Sequence, residues 1–424
     1  MQGPTTHPPS RRVRVVLSTT ALLSFTPVSN AAALVLAELG VGIFFVAGVS
    51  RALIGDFSPW FVLVACALSM VVRAIDIESW AFFVPGGLVA RTERAFGPRA
   101  GSIAMAVMLI ERLLLVALSA VLCVQYALSF ASGWMAQWTV TSRLTLQELV
   151  LTGAIVLIGV LWTRSRLRLQ IPNRVVIRGI WVGVLVLLAL MIVGIVTVIR
   201  RDPVALSAVL VPPWRDTPEA SLLAHAIQFL AGLALVMPIF GGGGVLGRAA
   251  REFAPPRIQS VRRTAFLVAL IVFIVAVFSS FLFVGLIPRE DSGPWTATPL
   301  SAIAQYVSLP AWMTGLLTVL VLGTSFFLLV PAAKASLDDA EQLLRRLSME
   351  GMLPGNMMNS ANVAAAATVL IIFGSGAQIT WLSRAYGISV AVALLLRIGV
   401  NAHLRRALRE PRPSPASVSR DARA

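Results

Sequence analysis

Charged residues are scarce in this chain, making up 13% of its 424 residues against 57% that are hydrophobic. The mean hydropathy is correspondingly high, at +0.84. In an average soluble domain about a quarter of the residues are charged. The shortage of charge therefore excludes an ordinary soluble protein and predicts a polytopic membrane protein.

Histidine and cysteine are also rare. The three histidines are His7, His225 and His403, and the two cysteines, Cys66 and Cys123, fall in separate apolar stretches. A zinc site needs three or four such ligands in one place, so the sequence predicts no metal site. It also lacks the Gly-x-Ser-x-Gly motif that presents a nucleophilic serine. We therefore do not expect an enzyme.

Long apolar stretches, in contrast, recur along the whole chain. A membrane-spanning helix needs about 20 apolar residues, which predicts an all-α protein with ten transmembrane helices. The candidates lie at roughly residues 17–50, 57–80, 101–131, 147–163, 177–199, 221–249, 264–287, 311–334, 360–375 and 380–399. They form one domain over residues 14–408, between polar tails at 1–13 and 409–424 that are predicted to be disordered.

The net charge of +16 is unevenly distributed between the loops. Arginines concentrate in every second connection, around residues 11–14, 91–99, 164–178, 248–263, 345–346 and 405–423. This positive-inside pattern predicts a multi-pass protein of the plasma membrane with both termini in the cytoplasm. The lipid bilayer then explains the charge, and no nucleic-acid partner is expected. The oligomeric state is left open.

Two of the predicted spans contain helix-breaking residues. The sixth holds Pro238 followed by four glycines, Gly241–Gly244. The first is too long for one straight crossing and could break at Thr26–Asn30 or at Gly40–Gly42. Broken helix is tolerated at membrane depth only beside protein or a water-lined cavity. Two breaks, in corresponding spans of a five-plus-five arrangement (about 14–200 and 221–400), are typical of transporters.

Several short motifs resemble those of amino acid–polyamine–organocation (APC) superfamily permeases. Gly40–Phe44 resembles the Gly-x-Gly-Ile-Phe segment at the first-helix break of that family, and Phe240–Gly244 stands in place of its Phe-x-Gly-Phe-Glu. Pro85–Gly87, Arg94–Pro98 and Met349–Pro354 are similar to other family signatures, in the same order. The resemblance implies a LeuT-like inverted-repeat fold with helices 1 and 6 broken. It also implies secondary active transport of an amino acid or amine by alternating access.

The chain departs from that family where Gly243 and Gly244 replace the usual Phe-Glu pair. The substitution removes an aromatic gate and a carboxylate, which leaves two alternatives open. One is uptake of potassium or another monovalent cation on the same fold. The other is a membrane scaffold or sensor that does not transport.

The predicted substrate site consists of the residues at the two breaks, where unwound backbone offers amides and carbonyls to a ligand. Its members are Gly40, Val41, Gly42, Ile43, Phe44, Phe240, Gly241, Gly242, Gly243 and Gly244. Packing of helices through small residues is the alternative explanation for the glycines.

A coupling ion, Na⁺ or H⁺, is the only cofactor expected. The resemblance implies sodium ligands at Thr324 and Ser325, although such hydroxyls also bond to their own helix. For a proton, Glu38 is the first candidate, since no charged partner is evident nearby in the sequence. Glu111 and Arg112, adjacent in the chain, are expected to neutralise each other.

Overall fold

The computed structural model describes residues 27–82, 87–142, 145–167, 173–201, 222–241, 245–246, 253, 257–349 and 359–409. Within these ranges the regular structure is helical, without a β-strand. The predicted tail at 1–13 and the glycines Gly242–Gly244 lie outside the described residues, as does all of the predicted tail at 409–424 except Arg409, which ends the last helix.

Thirteen α-helices are described along the chain. In order they are α1 Val28–Leu39, α2 Val46–Ile54, α3 Ser58–Phe82, α4 Gly87–Phe96, α5 Pro98–Ser142, α6 Leu146–Arg166, α7 Asn173–Arg201, α8 Leu222–Leu235, α9 Arg257–Leu286, α10 Pro299–Tyr306, α11 Ala311–Met349, α12 Ser360–Gly374 and α13 Ile379–Arg409. In the part of the chain that the structure describes, three short 3-10 segments, Gly40–Phe44, Met237–Phe240 and Gly293–Trp295, interrupt this series. We call Gly40–Phe44 the first break and Met237–Gly241 the second break.

Each of the ten predicted spans contains a helix. Seven helical segments among the described residues are long and apolar enough to cross a membrane. Two shorter apolar segments, Ser58–Ala74 within α3 and Ser360–Gly374, lie in the second and ninth predicted spans. The remaining predicted span, at 221–249, contains α8. This helix has 14 residues, which at 1.5 Å per residue cover about 21 Å of a hydrocarbon core near 30 Å.

Only part of the first predicted span lies among the described residues. Its helix starts at Val28, because Pro27 precedes it in extended conformation, with φ −64° and ψ 150°. Residues 17–26 of the predicted span lie outside the described residues. The α-helix then changes to 3-10 geometry at Gly40 and resumes at Val46. Of the two predicted break positions, Gly40–Gly42 interrupts the helix, whereas Pro27 precedes its first turn.

The long helices enclose the broken one. α1 and the first break pack against α9 and α11, and α11 also packs against α5 and α7. α13 packs against α5 and the second break. One hydrophobic cluster joins these elements. Outward-facing residues of α7 such as Leu185 and Ile192, 67% and 62% exposed, are apolar, as expected for a helix that faces lipid tails.

Candidate substrate site at two helix breaks

The first break lies entirely in the protein interior. All five residues from Gly40 to Phe44 are buried. The carbonyl of Phe44 accepts a hydrogen bond of 2.6 Å from the hydroxyl of Tyr126 on α5. The two rings also meet edge to face, with centroids 5.5 Å apart. A carbonyl released by the break is thus satisfied by a side chain from another helix, as burial in an apolar environment requires.

Replacing Tyr126 with phenylalanine is expected to lower the free energy of unfolding by about 1–3 kcal/mol. The ring contact with Phe44 would remain, but the buried carbonyl would lose its donor. The measurement is SDS-titrated unfolding in mixed micelles. Tyr306→Phe is the matched control: its hydroxyl donates to Asp291 at an exposed position, where a change within about 0.5 kcal/mol is expected. Equal losses in both variants would contradict the assignment.

At the second break, two backbone carbonyls accept hydrogen bonds from a buried arginine. After the 3-10 turn Met237–Phe240, Gly241 is extended, with φ −57° and ψ 170°. Arg73 of α3, only 4% exposed, donates from Nη2 to the carbonyls of Phe240 and Gly241, at 3.0 and 2.5 Å. The guanidinium therefore binds carbonyl oxygens that the sequence analysis predicted to be available to a ligand. Sequence reasoning had not included Arg73 among the site residues.

The two breaks lie side by side although they are far apart in the chain. A Cβ atom at Gly42 would lie 3.7 Å from the Cα of Ile239 and 3.9 Å from the carbonyl oxygen of Pro238. On its other side the second break touches α13, where a Cβ at Gly241 would lie 2.0 Å from the hydroxyl oxygen of Tyr386. Glycine is thus required at Gly241 for the close approach of Tyr386. The structure brings together the described part of the predicted substrate site.

A small cavity adjoins both breaks. A cavity lined by Leu39, Arg73 and Ile239 has a volume of about 20 Å³, which is enough for one water molecule. An amino acid would not fit in it. A solute of that size would need the surrounding helices to move before it could occupy this cavity.

Glu38, which has no evident charged partner nearby in the sequence, forms an ion pair with a residue of α5. Its carboxylate lies 2.9 Å from Nη1 of Arg112, with the two side chains 4% and 2% exposed. Asp339 of α11 lies 3.7 Å from Nε of the same arginine. Glu111 pairs with Arg397 of α13 at 3.8 Å. The charged partner of Glu38 is thus distant in the sequence, and Glu111 forms its ion pair with a residue of another helix and not with the adjacent Arg112.

The hydroxyls predicted as sodium ligands are bonded within α11. Thr324 donates to the carbonyl of Leu320 at 2.8 Å, and Ser325 donates to that of Leu322 at 2.7 Å. Both residues are buried, and Thr324 faces Gly183 of α7. Each hydroxyl oxygen keeps lone pairs that could coordinate a cation. The sodium site at Thr324 and Ser325 therefore stays a prediction. Among the described residues no cluster of three His, Cys, Asp or Glu could hold a metal ion.

These features define a multi-pass helical membrane protein in which the 3-10 segment between α1 and α2 meets, in the core, the 3-10 turn that follows α8. The family model described as "Amino acid permease" matches residues 16–404. The chain therefore belongs to the amino acid permease family, within the APC superfamily, and the resemblance found in its motifs is confirmed. Membership of the family indicates a transporter of amino acids or related solutes. No curated protein matches the chain.

Proposed function

We propose that the protein is a secondary active transporter that moves an amino acid or amine across the plasma membrane by alternating access. Ten helices, in two inverted repeats of five with both termini in the cytoplasm, would form a LeuT-like fold. The observation that carries the proposal is the contact between Gly42 and the turn at Pro238 and Ile239. Two helices interrupted at the same place in space form the kind of site that such transporters use.

The charge at the second break favours a solute with a carboxylate. A bare monovalent cation would have to approach the carbonyls of Phe240 and Gly241, but the guanidinium of Arg73 already occupies them and would repel it. A carboxylate could instead pair with that guanidinium and accept amide hydrogens of the glycine run. An amino acid therefore fits better than potassium. Gly40–Phe44 and Phe240–Gly244 would line its site.

We place the coupling proton on the buried carboxylates beside the first break. Glu38 and Glu111 are 5% and 1% exposed, and they face Arg112, Arg397 and Tyr386. Oε1 of Glu111 has no hydrogen-bond partner among the described residues. Buried ionisable groups at membrane depth are candidates for proton relays. Sodium at Thr324 and Ser325 is the alternative that transport assays would distinguish.

Reconstituted protein should take up at least one solute when a pH gradient, acidic outside, is imposed on liposomes. The panel is radiolabelled amino acids, amines and the potassium analogue rubidium, with protein-free vesicles as background and an imposed Na⁺ gradient as the second arm. We expect an amino acid to accumulate with the pH gradient. The Glu111→Gln variant should retain exchange of that solute but lose accumulation, whereas Glu93→Gln, an exposed carboxylate on α4, should behave as wild type.

Each alternative predicts a different result in that experiment. Accumulation driven only by the Na⁺ gradient would contradict proton coupling and favour Thr324 and Ser325. Flux of rubidium alone would favour the cation alternative. No flux in any arm, from protein that is folded and monodisperse, would overturn the transport proposal and leave a membrane scaffold or sensor.

A further inference from the structure

A groove between α3 and α9 lies outside the breaks, on the surface of the helix bundle. Its volume is about 650 Å³, and Arg73, Ile77, Arg262, Arg263 and Phe266 are among the residues that line it. We propose that this groove binds the phosphate headgroup of an anionic phospholipid. The binding requires neither transport nor a substrate, so it can be tested separately from the proposed function.

Positive charge converges on the groove from both helices. Arg262 and Arg263 of α9 are exposed, while Arg73 of α3 is buried at 4% exposure. No carboxylate is among the described residues that line it. Guanidinium groups match the geometry of phosphate oxygens and bind them through paired hydrogen bonds. The groove is therefore suited to a phosphate group.

The position of the groove along α9 favours a lipid over free phosphate. Arg262 and Arg263 immediately precede the apolar part of the helix, where a membrane-spanning helix would pass from headgroups to hydrocarbon. Phe266, 65% exposed, lies one turn further on the same face as Arg262. A phospholipid can place its phosphate on the arginines and an acyl chain along Phe266. Free phosphate would leave this apolar wall uncovered.

Charge patterning also assigns the groove to the leaflet that is rich in anionic lipid. Arg262 and Arg263 belong to an arginine-rich connection that is predicted to lie on the cytoplasmic side. Basic pockets between transmembrane helices on that side are suited to anionic headgroups, and each basic residue near the surface strengthens binding about fivefold. The charges in the groove and the expected lipid are thus complementary.

Arg73 connects the groove to the second break. The same side chain that lines the groove donates to the carbonyls of Phe240 and Gly241. A phosphate at this end of the groove would hold the guanidinium in place by its negative charge. Bound lipid would then stabilise the contact of Arg73 with the second break.

The test compares nanodiscs of phosphatidylcholine with nanodiscs in which half of the lipid is phosphatidylglycerol. Native mass spectrometry measures the phosphatidylglycerol that remains on the released protein. The wild type should retain it in preference to phosphatidylcholine. The Arg262→Gln/Arg263→Gln double variant should bind about thirtyfold more weakly. The control is Arg345→Gln/Arg346→Gln, which removes an adjacent, exposed pair from α11 and should change the affinity less than twofold.

Three outcomes would overturn the proposal. The first is equal retention of both lipids by the wild type. The second is an equal loss in the two double variants, which would mean that only the net charge matters. The third comes from lipid-free detergent micelles: if inorganic phosphate raises the unfolding midpoint as much as phosphatidylglycerol does, and the Arg262→Gln/Arg263→Gln variant abolishes both effects, the groove binds phosphate ions and not a lipid.

Discussion

Replacing Gly48 with alanine should destabilise the protein by at least the roughly 1–3 kcal/mol that overpacking costs. Gly48 is buried in α2, directly against the loop that precedes α10. A Cβ atom there would lie 2.2 Å from the carbonyl oxygen of Thr296 and 2.8 Å from its carbonyl carbon. Because the obstacle is backbone and not the end of a flexible side chain, the loop itself would have to move. Thermal unfolding in detergent, with the monodisperse fraction from size exclusion, measures the effect.

Gly323→Ala provides the matched control for Gly48→Ala. Gly323 also lies inside a helix, α11, but a Cβ atom there would meet no other atom within 4 Å. Alanine is favoured over glycine in helix interiors by about 1 kcal/mol, so this variant should be neutral or slightly stabilised. Similar losses in the two variants would mean that the contact with Thr296 does not determine the effect.

Most helices could be predicted from hydropathy because the bilayer requires long apolar segments whatever their partners are. The position of the first helix shows the limit of that signal. Apolar residues continue on both sides of Pro27, so hydropathy alone extended the span towards residue 17. Proline has a fixed φ and no amide hydrogen, and here it precedes the first helical turn. A local backbone rule located this boundary where average hydropathy could not.

The breaks themselves could be predicted because their signal is local. Glycine and proline disturb a helix at their own positions, as at Gly40–Gly42 and Pro238. The side chains that satisfy the released carbonyls could not be found in this way. Tyr126 and Arg73 reach the breaks from α5 and α3, and only the packing of those helices determines which carbonyls they meet. The sequence thus predicts where the helices are interrupted but not which side chains bind the carbonyls that the interruptions release.

The assignment of buried charges failed for a geometric reason. Glu111 and Arg112 are adjacent in sequence, which suggested mutual neutralisation. Consecutive residues of an α-helix do not share a face. Glu111 therefore points towards Arg397 of α13, and Arg112 points towards Glu38 of α1. Residues that are adjacent in the chain can form ion pairs with different helices, so the three-dimensional arrangement is needed to identify the partners.

Replacing Arg112 with glutamine should be among the most damaging single changes in the protein. Arg112 is 2% exposed and ties Glu38 of α1, two residues before the first break, to α5 and α11. Its loss would leave buried negative charge without its guanidinium, which costs about 3–5 kcal/mol. SDS-titrated unfolding in mixed micelles measures the cost. Lys334→Gln breaks an ion pair within α11 whose side chains are 30% and 39% exposed, where at most about 1 kcal/mol is expected.

A double variant separates the charge from the shape of the side chains. Glu38→Gln/Arg112→Gln removes both members of the buried pair and leaves amides that can bond to each other. If the damage in Arg112→Gln comes from the unpaired carboxylate, the double variant should regain part of the lost stability, with a coupling free energy of about 0.5–3 kcal/mol. Strictly additive losses would show that the ion pair does not hold α1 in place. The first break would then be positioned by apolar packing alone. Protonation of Glu38 would not be expected to move α1.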